Sequence, residues 1–394
     1  MSRHIGTVVR GIRAPIIKQG DDVVELVVSS LQKAWQEGGI TVRDKDIVGI
    51  TESVVARAQG NYVSVDDITA DVKKKFQDEV GVIFPILSRN RFSLILKGIA
   101  QAVDKVYLLL SYPSDEVGNH LMDIDKMEDL KINPTSDVLS EDDYRRLFGT
   151  QKHPFTGIDY VDLYKSIGIN NNISIILAND PKAILDYTKN VIVANVHDRE
   201  KTKKILEDAG AEKVYTLSDI CTEPINGSGY NAEYGLLGSN KATDNTLKLF
   251  PRDSQIYVEK IQARLKELTG KTIEVMVYGD GAFKDPVGKI WELADPVVSP
   301  GYTSGLIGTP NELKLKYFAD NELKDLSPEE AKEAMKKCIK SKESGTLDSQ
   351  ATLGTTPRQL TDLLGSLCDL TSGSGDKGTP IIYIQGYFDN YAND

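Results

Sequence analysis

A chain of 394 residues with 40% hydrophobic content is long enough for two or three domains with real cores. Its net charge of −11 excludes a broadly basic surface for nucleic acid or anionic membranes, though a nucleotide phosphate site needs only a local arrangement. No apolar run approaches the roughly 20 residues of a membrane helix, and MSRHIGTVVRG lacks the apolar centre of a signal peptide. Cys221, Cys338 and Cys368 are far apart with no CxxC pair, so the expectation is a reduced, cytosolic protein without disulfides or structural zinc.

In chain order, residues 24–39 have helical spacing, with Val24, Leu26, Val27, Leu31 and Trp35 toward one side and a Gly-Gly stop. The run DIVGITESVVARAQG (46–60) starts as a strand, passes into a loop and ends at glycine; 66–77 reads as a more polar helix. Short apolar runs at 80–87, 105–113, 172–180, 190–197 and 212–217 suit strands buried on both faces. The helical segment DREKTKKILEDAGA lies between the last two, which predicts a parallel α/β layer. Residues 114–170 are polar, with SEDDYRRLFG as one short helix. Beyond Glu223 come a glycine-rich loop (225–243) and an amphipathic helix (254–270) carrying Ile256, Val258, Ile261 and Leu265. The strand KTIEVMVYG and a charged helix (327–342) follow. A helix at 356–373 has a threonine cap and a glycine stop, and TPIIYIQGY is a closing strand.

Four stretches could carry chemistry. In YGDGAFKDPVGK, glycines after a strand let a backbone approach a ligand, and Asp280 and Asp285 are hard oxygen donors suited to Mg²⁺ or Mn²⁺. An Asp-Gly turn followed by an Asp-Pro turn explains the same residues. The loop NGSGYNAEYGLLGSNKA could form a phosphate nest of backbone N–H groups, or be a plain surface loop; it matches no phosphate fingerprint. Glu52 and Arg57 flank Val54-Val55 at a strand end, where they either face a ligand or pair with each other. SYPSDEVGNH and QKHPFTGIDY each hold a histidine, an aspartate and a glycine. His153 is either a ligand or acid–base group or, more commonly in such places, a solvent-facing loop histidine. The four histidines show no metal-ligand spacing, and no GxSxG or Cys-His context marks a nucleophile.

The order of these pieces resembles the coenzyme F420-0:L-glutamate ligases, a gamma-glutamyl ligase family. GIRAPIIKQGDDVVELV, TESVVARAQG, YNAEYGLLGSN with LFPRDSQIYVEKIQARL, VMVYGDGAFKDPVGKIW and LTDLLGSLCDLTSGSGDKGTPIIYIQGY each resemble a family segment, over about 1–80 and 225–394. The family's Gln-Lys after the strand is Glu52-Ser53 here, and its loop aspartate has only Asn231 or Glu233 to stand in. Its Gly-Arg-Pro-Trp-Arg becomes Phe283-Lys284-Asp285-Pro286 with Lys289 nearby. The resemblance implies metal held by Asp280, Glu233, Asn231 and Asp285. It implies catalytic contacts from Lys284, Lys289 and Arg57, and nucleotide contacts at Gly11, Ile12, Glu52, Ser53, Gly227, Ser228, Gly229 and Gly281.

The expected fold is α/β: a mixed α+β ligase-like core from residues 1–80 and 225–394, with an inserted or expanded α/β region at 81–224. The expected function is a GTP- or ATP-dependent ligase using Mg²⁺ or Mn²⁺. It would phosphorylate a small-molecule carboxylate acceptor and join it to glutamate or a similar amino acid. A homodimer is expected, with no nucleic acid and no membrane. Two other readings stand beside this one. The first is a non-catalytic binding protein on the ligase fold. The second is an unrelated phosphotransferase with nucleotide contacts near Asn179, Asp180 and His197 of the middle region.

Overall fold

The run IVGIT and its partners alternate their side chains between two apolar surfaces, so the sheet they form must be covered on both faces. The computed structural model describes residues 4–154, 156–279, 299–310, 312–342, 359–372 and 376–392, and the backbone course of 282–284 and 291–293. The chain begins with β1 (Val8–Ile12), α1 (Val23–Glu37), β2 (Ile47–Thr51), α2 (Glu52–Ala58), β3 (Tyr62–Ser64) and α3 (Val65–Lys75). The middle section holds β4 (Glu79–Ile83), α4 (Arg91–Ala102), β5 (Lys105–Leu110), α5 (Ile124–Asp129), β6 (Leu139–Ser140) and α6 (Glu141–Phe148). It continues with α7 (Tyr160–Ile167), β7 (Ile173–Leu177), β8 (Asn190–Val193), α8 (Arg199–Asp208) and β9 (Lys213–Thr216). Then follow β10 (Asn240–Lys241), β11 (Thr246–Lys248), α9 (Ser254–Thr269), β12 (Glu274–Tyr278), β13 (Ala282–Lys284), β14 (Trp291–Leu293) and β15 (Gly301–Tyr302). The last elements are α10 (Leu315–Asp320), α11 (Pro328–Ser341), α12 (Leu360–Thr371) and β16 (Ile381–Gln385).

Both ends of the chain build one five-stranded sheet, in the order β1-β16-β2-β12-β15. On one face Val48, Ile50, Val275, Val277, Ile381 and Tyr383 meet α1 and α9 through Val27, Leu31, Trp35, Val258, Ile261 and Leu265. Trp35 meets Tyr383 edge-on, ring centroids 5.5 Å apart. On the other face Ile47, Met276, Tyr278, Ile382 and Ile384 meet α12 through Leu360, Leu364 and Cys368. Position 49 has no room for a side chain: a Cβ on Gly49 would lie 2.4 Å from the Cys368 sulfur.

A six-stranded sheet, β6-β7-β5-β4-β8-β9, occupies the middle of the chain. All its pairs are parallel except the β6 edge. The first strand, β4, sits inside the sheet, so the chain winds outward from it in both directions, as in doubly wound folds. The fold is therefore mixed α/β. The α3 helix, read among the first 80 residues, packs Val65, Ile68 and Val72 into the core of this middle sheet.

Several local expectations change. TESVVARAQG is the helix α2, entered directly from β2, rather than a loop. The glycine-rich loop leads into a small antiparallel sheet, β10-β11-β3. Ile256, read as apolar-facing, is 49% exposed. The helix of 356–373 starts at Leu360 behind Gln359, with no side-chain cap bond.

Candidate active site

The core sheet has one edge where three strands running the same way all end. β2 and β12 are parallel, with Thr51 opposite Tyr278 at their carboxyl ends. β1 reaches the same edge, where Ile12 pairs with Ile381 and Ile381 with Ile50. Ligands of α/β sheets characteristically bind beyond such carboxyl ends. The Thr51 N–H donates to the Pro380 carbonyl (3.1 Å) and the Ala14 N–H to the Gly378 carbonyl (3.1 Å), tying the loops after β1 and before β16 to this rim. A Cβ on Gly11 would meet Thr379 at 3.0 Å, so glycine is what lets these loops lie together.

Glu52, the first residue of α2, is the carboxylate at this rim, and it is only 6% exposed. The Asn240 amide of β10 donates to its Oε1 (3.3 Å). Lys248 of β11 brings its ammonium to 3.9 Å from the same oxygen and donates a hydrogen bond to Ser53 Oγ. The Lys248 side chain is 14% exposed. Taking an ammonium and a carboxylate out of water is costly, so such a pair adds little to stability. What it offers is a fixed, partly dehydrated charge arrangement at a sheet edge. No motif in the sequence singles out Lys248. Its signal was a lysine between Leu247 and Leu249, both buried in the middle core; alternation sends the side chain between them to the opposite side, toward α2.

The rim residues lie in a stretch matched as a whole by a known family. The sequence profile of the F420-0:gamma-glutamyl ligases matches residues 11–386. The chain belongs to this family. The match runs through the middle sheet as well as the core. Among individual relatives, the coenzyme F420:L-glutamate ligase of Methanothermobacter thermautotrophicus is 39% identical over 54 residues. That alignment covers 14% of this chain and 20% of the archaeal protein.

Of the family-derived site residues, the fold brings Gly11, Ile12, Glu52 and Ser53 to the rim. Arg57 lies on the same short helix but is exposed to solvent. Gly227, Ser228, Gly229, Asn231 and Glu233 belong to a loop that packs at the far end of α2, about 10 Å away by helix rise. There Gln59, just past the helix, exchanges hydrogen bonds with the Arg252 backbone (2.6 and 2.9 Å). The N–H groups of Ser228 and Gly229 are spent on the carbonyls of Ile225 (2.9 Å) and Tyr62 (2.7 Å), so they form no open nest. Asn231 Oδ1 accepts the N–H groups of Glu233 (3.0 Å) and Tyr234 (2.8 Å), and its amide donates to the Phe250 carbonyl (3.1 Å). That oxygen holds the loop together. Glu233 is exposed and lines, with Arg252 and Tyr230, a separate cavity of about 350 Å³. Asp280, Gly281, Asp285 and Lys289 lie outside the described residues, as does the side chain of Lys284.

Among the described residues, no group of three or more His, Cys, Asp or Glu side chains is placed to hold a metal ion. Mg²⁺ bound mainly through substrate phosphates needs only one or two carboxylates, and Glu52 is the described carboxylate at the rim. Among the described residues no helix is long and apolar enough to cross a membrane.

In the middle region, the side chains named for a phosphotransferase are engaged by other protein groups. Asn179 bridges the N–H and carbonyl of Tyr112 (2.9 and 2.5 Å), and Asp180 caps the turn at Lys182 (2.9 Å). His197 Nδ1 meets Glu116 at 2.7 Å. His153 is not solvent-facing: it is 5% exposed. Its Nδ1 accepts the Thr156 N–H (3.3 Å), so its Nε2 carries the proton toward Asn119 Oδ1 (3.2 Å). Burial first, and the nearby His120 second, lower its pKa from the usual 6.5. The unfolded chain therefore takes up a proton that the folded one refuses. The stability this neutral histidine supports is complete above the unfolded value and is lost as pH falls through the folded one. Urea midpoints should drop between about pH 7.5 and about pH 5, and drop less in His153→Gln. Equal slopes for the two proteins would remove His153 as the cause.

Proposed function

We propose that the protein is a nucleotide-dependent amide ligase that joins glutamate or a similar amino acid to the carboxylate of a small acceptor molecule. The observation that carries this is the paired Glu52 and Lys248 at the carboxyl ends of parallel strands, in a chain of the F420-0:gamma-glutamyl ligase family. A carboxylate is a poor acyl donor until it is phosphorylated. In the first step an acceptor oxygen attacks the γ-phosphorus of GTP or ATP, the bond to the diphosphate breaks, and an acyl phosphate forms. In the second step the amino group attacks the acyl carbon, its proton is released, and orthophosphate leaves. Both steps gather negative charge on phosphoryl oxygens, and a preorganised ammonium lowers that barrier. Glu52 would hold Mg²⁺ or Mn²⁺, which when bound neutralises phosphate charge. Asn240 holds the Glu52 carboxylate in place. By the same reading Asp280 contributes to the metal, the unit is a homodimer, and it works in the cytosol.

A thermal shift with GTP, ATP, GDP and ADP, each with and without Mg²⁺ or Mn²⁺, tests this reading. A nucleotide at 100 times its dissociation constant stabilises the fold by about 2.7 kcal/mol, which is easily seen. The expected result is a metal-dependent shift that Asp280→Ala abolishes, followed by amino-acid-dependent phosphate release. No shift with any nucleotide would end the ligase reading. A shift without release across carboxylate acceptors would favour a binding protein on the ligase fold.

A further inference from the structure

The family resemblance predicts a lysine directly after the strand β2, yet position 53 is a serine. Lys248 arrives at that spot from another element. Its ammonium donates to Ser53 Oγ and stands 3.9 Å from Glu52, outside hydrogen-bond distance. An ammonium has three N–H donors. Among the described residues, Ser53 Oγ accepts the hydrogen bond of Lys248, which leaves donors for an incoming oxyanion. β11 fixes the approach: Lys248 pairs with Asn240 on one side and Tyr62 on the other, and Asn240 in turn holds Glu52. Backbone pairing thus sets the position of the cation and of the carboxylate's partner from one hairpin.

We propose that Lys248 is the phosphate-binding cation of this site, taking over from the small sheet the place a lysine at position 53 would fill. This rests on the ligase reading and specifies it: the triphosphate of the nucleotide lies over Ser53, against the Lys248 ammonium. A purely structural role is the plain competitor, in which Lys248 only pins the β10–β11 hairpin onto α2. The two differ in what a neutral replacement does. Loss of a pin lowers the melting temperature and leaves nucleotide affinity alone. Removing Lys248 takes the compensating cation from the buried Glu52 carboxylate and lowers the melting temperature on either reading, so affinity is the readout that separates them: loss of the phosphate cation lowers it as well.

The experiment is calorimetric titration of the full chain with GTP and with ATP in Mg²⁺, for wild type, Lys248→Met and the double variant Ser53→Lys/Lys248→Met. Lys248→Met is expected to weaken binding at least about tenfold. The double variant is expected to regain most of that loss, because a lysine's flexible stem covers the same region from position 53. Unchanged affinity in Lys248→Met, with the wild type binding, overturns the assignment while the ligase reading survives. Failure of the wild type to bind either nucleotide overturns both. Should Lys248→Met not fold, the double variant decides alone: wild-type-like affinity supports the proposal, and a folded protein without affinity refutes it.

Discussion

On the proposed ligase function, Glu52→Gln should lower turnover at least about a hundredfold, which corresponds to about 2.7 kcal/mol of transition-state stabilisation. The substitution keeps the shape of the side chain. Its amide oxygen still accepts from Asn240, as Glu52 Oε1 does at 3.3 Å. What disappears is the charge: the rim loses its described carboxylate, and Lys248 loses the negative group 3.9 Å away. Uncovering a largely buried ammonium should also destabilise the apo protein by about 1–3 kcal/mol, since a one-sided removal leaves the other charge without compensation. Nucleotide-dependent phosphate release and a urea titration on the same preparation measure the two effects separately. Wild-type turnover in Glu52→Gln would take this carboxylate out of the chemistry. Lost turnover with unchanged apo stability would show that Lys248 does not depend on it.

The second large effect belongs to the core. Gly49→Ala should destabilise the fold by about 1–3 kcal/mol, the range for overpacking a filled interior. Its new Cβ would lie 2.4 Å from the Cys368 sulfur and 3.4 Å from the Tyr278 ring. β2 is held between β16 and β12 and has little freedom to move away. Cys368→Ala removes the obstructing sulfur and has its own, smaller cost as a cavity. The double variant should then be more stable than the two single losses added together, with a coupling of about 1 kcal/mol or more. Strict additivity would show that the strain at position 49 comes from elsewhere. Burial raises the pKa of the Cys368 thiol well above its usual value, so adventitious thiolate chemistry does not confuse the measurement.

The repeating elements were legible in the sequence because burial imposes a period. IVGIT, KVYLLL and NVIVAN are apolar on both faces, and the structure buries them on both sides of their sheets apart from the half-buried Thr51, Lys105, Tyr107 and Asn190. The helices α1 and α9 were equally plain, since their apolar residues recur at helical spacing. What the sequence hid was the meeting of distant segments. ESVVARA reads as helix or loop with equal ease until β2 fixes its start. Asn231 entered only as the stand-in that the family resemblance offers for a loop aspartate, and no local pattern shows that its oxygen accepts the N–H groups of its own turn. Lys248 carried no motif at all. Its role depends on a strand pairing that joins Tyr62 to residue 248, and no local pattern announces it.

The strand order of the core also sets a schedule for the newborn chain. β1 pairs with β16, Val8 opposite Gln385, so the first strand must wait until residue 385 has been made before its partner exists. All strands of the six-stranded sheet have been made by Thr216, and Leu236, Leu247 and Leu249 complete its core soon after, while synthesis continues. When β11 then docks on β3, that finished unit brings the two crossings of the chain together. The large entropic cost of closing the outer sheet is thereby shortened to the spans that remain open. Translation order and architecture cooperate: the inner segment acts as a clasp, and the rim that carries Glu52 is completed last.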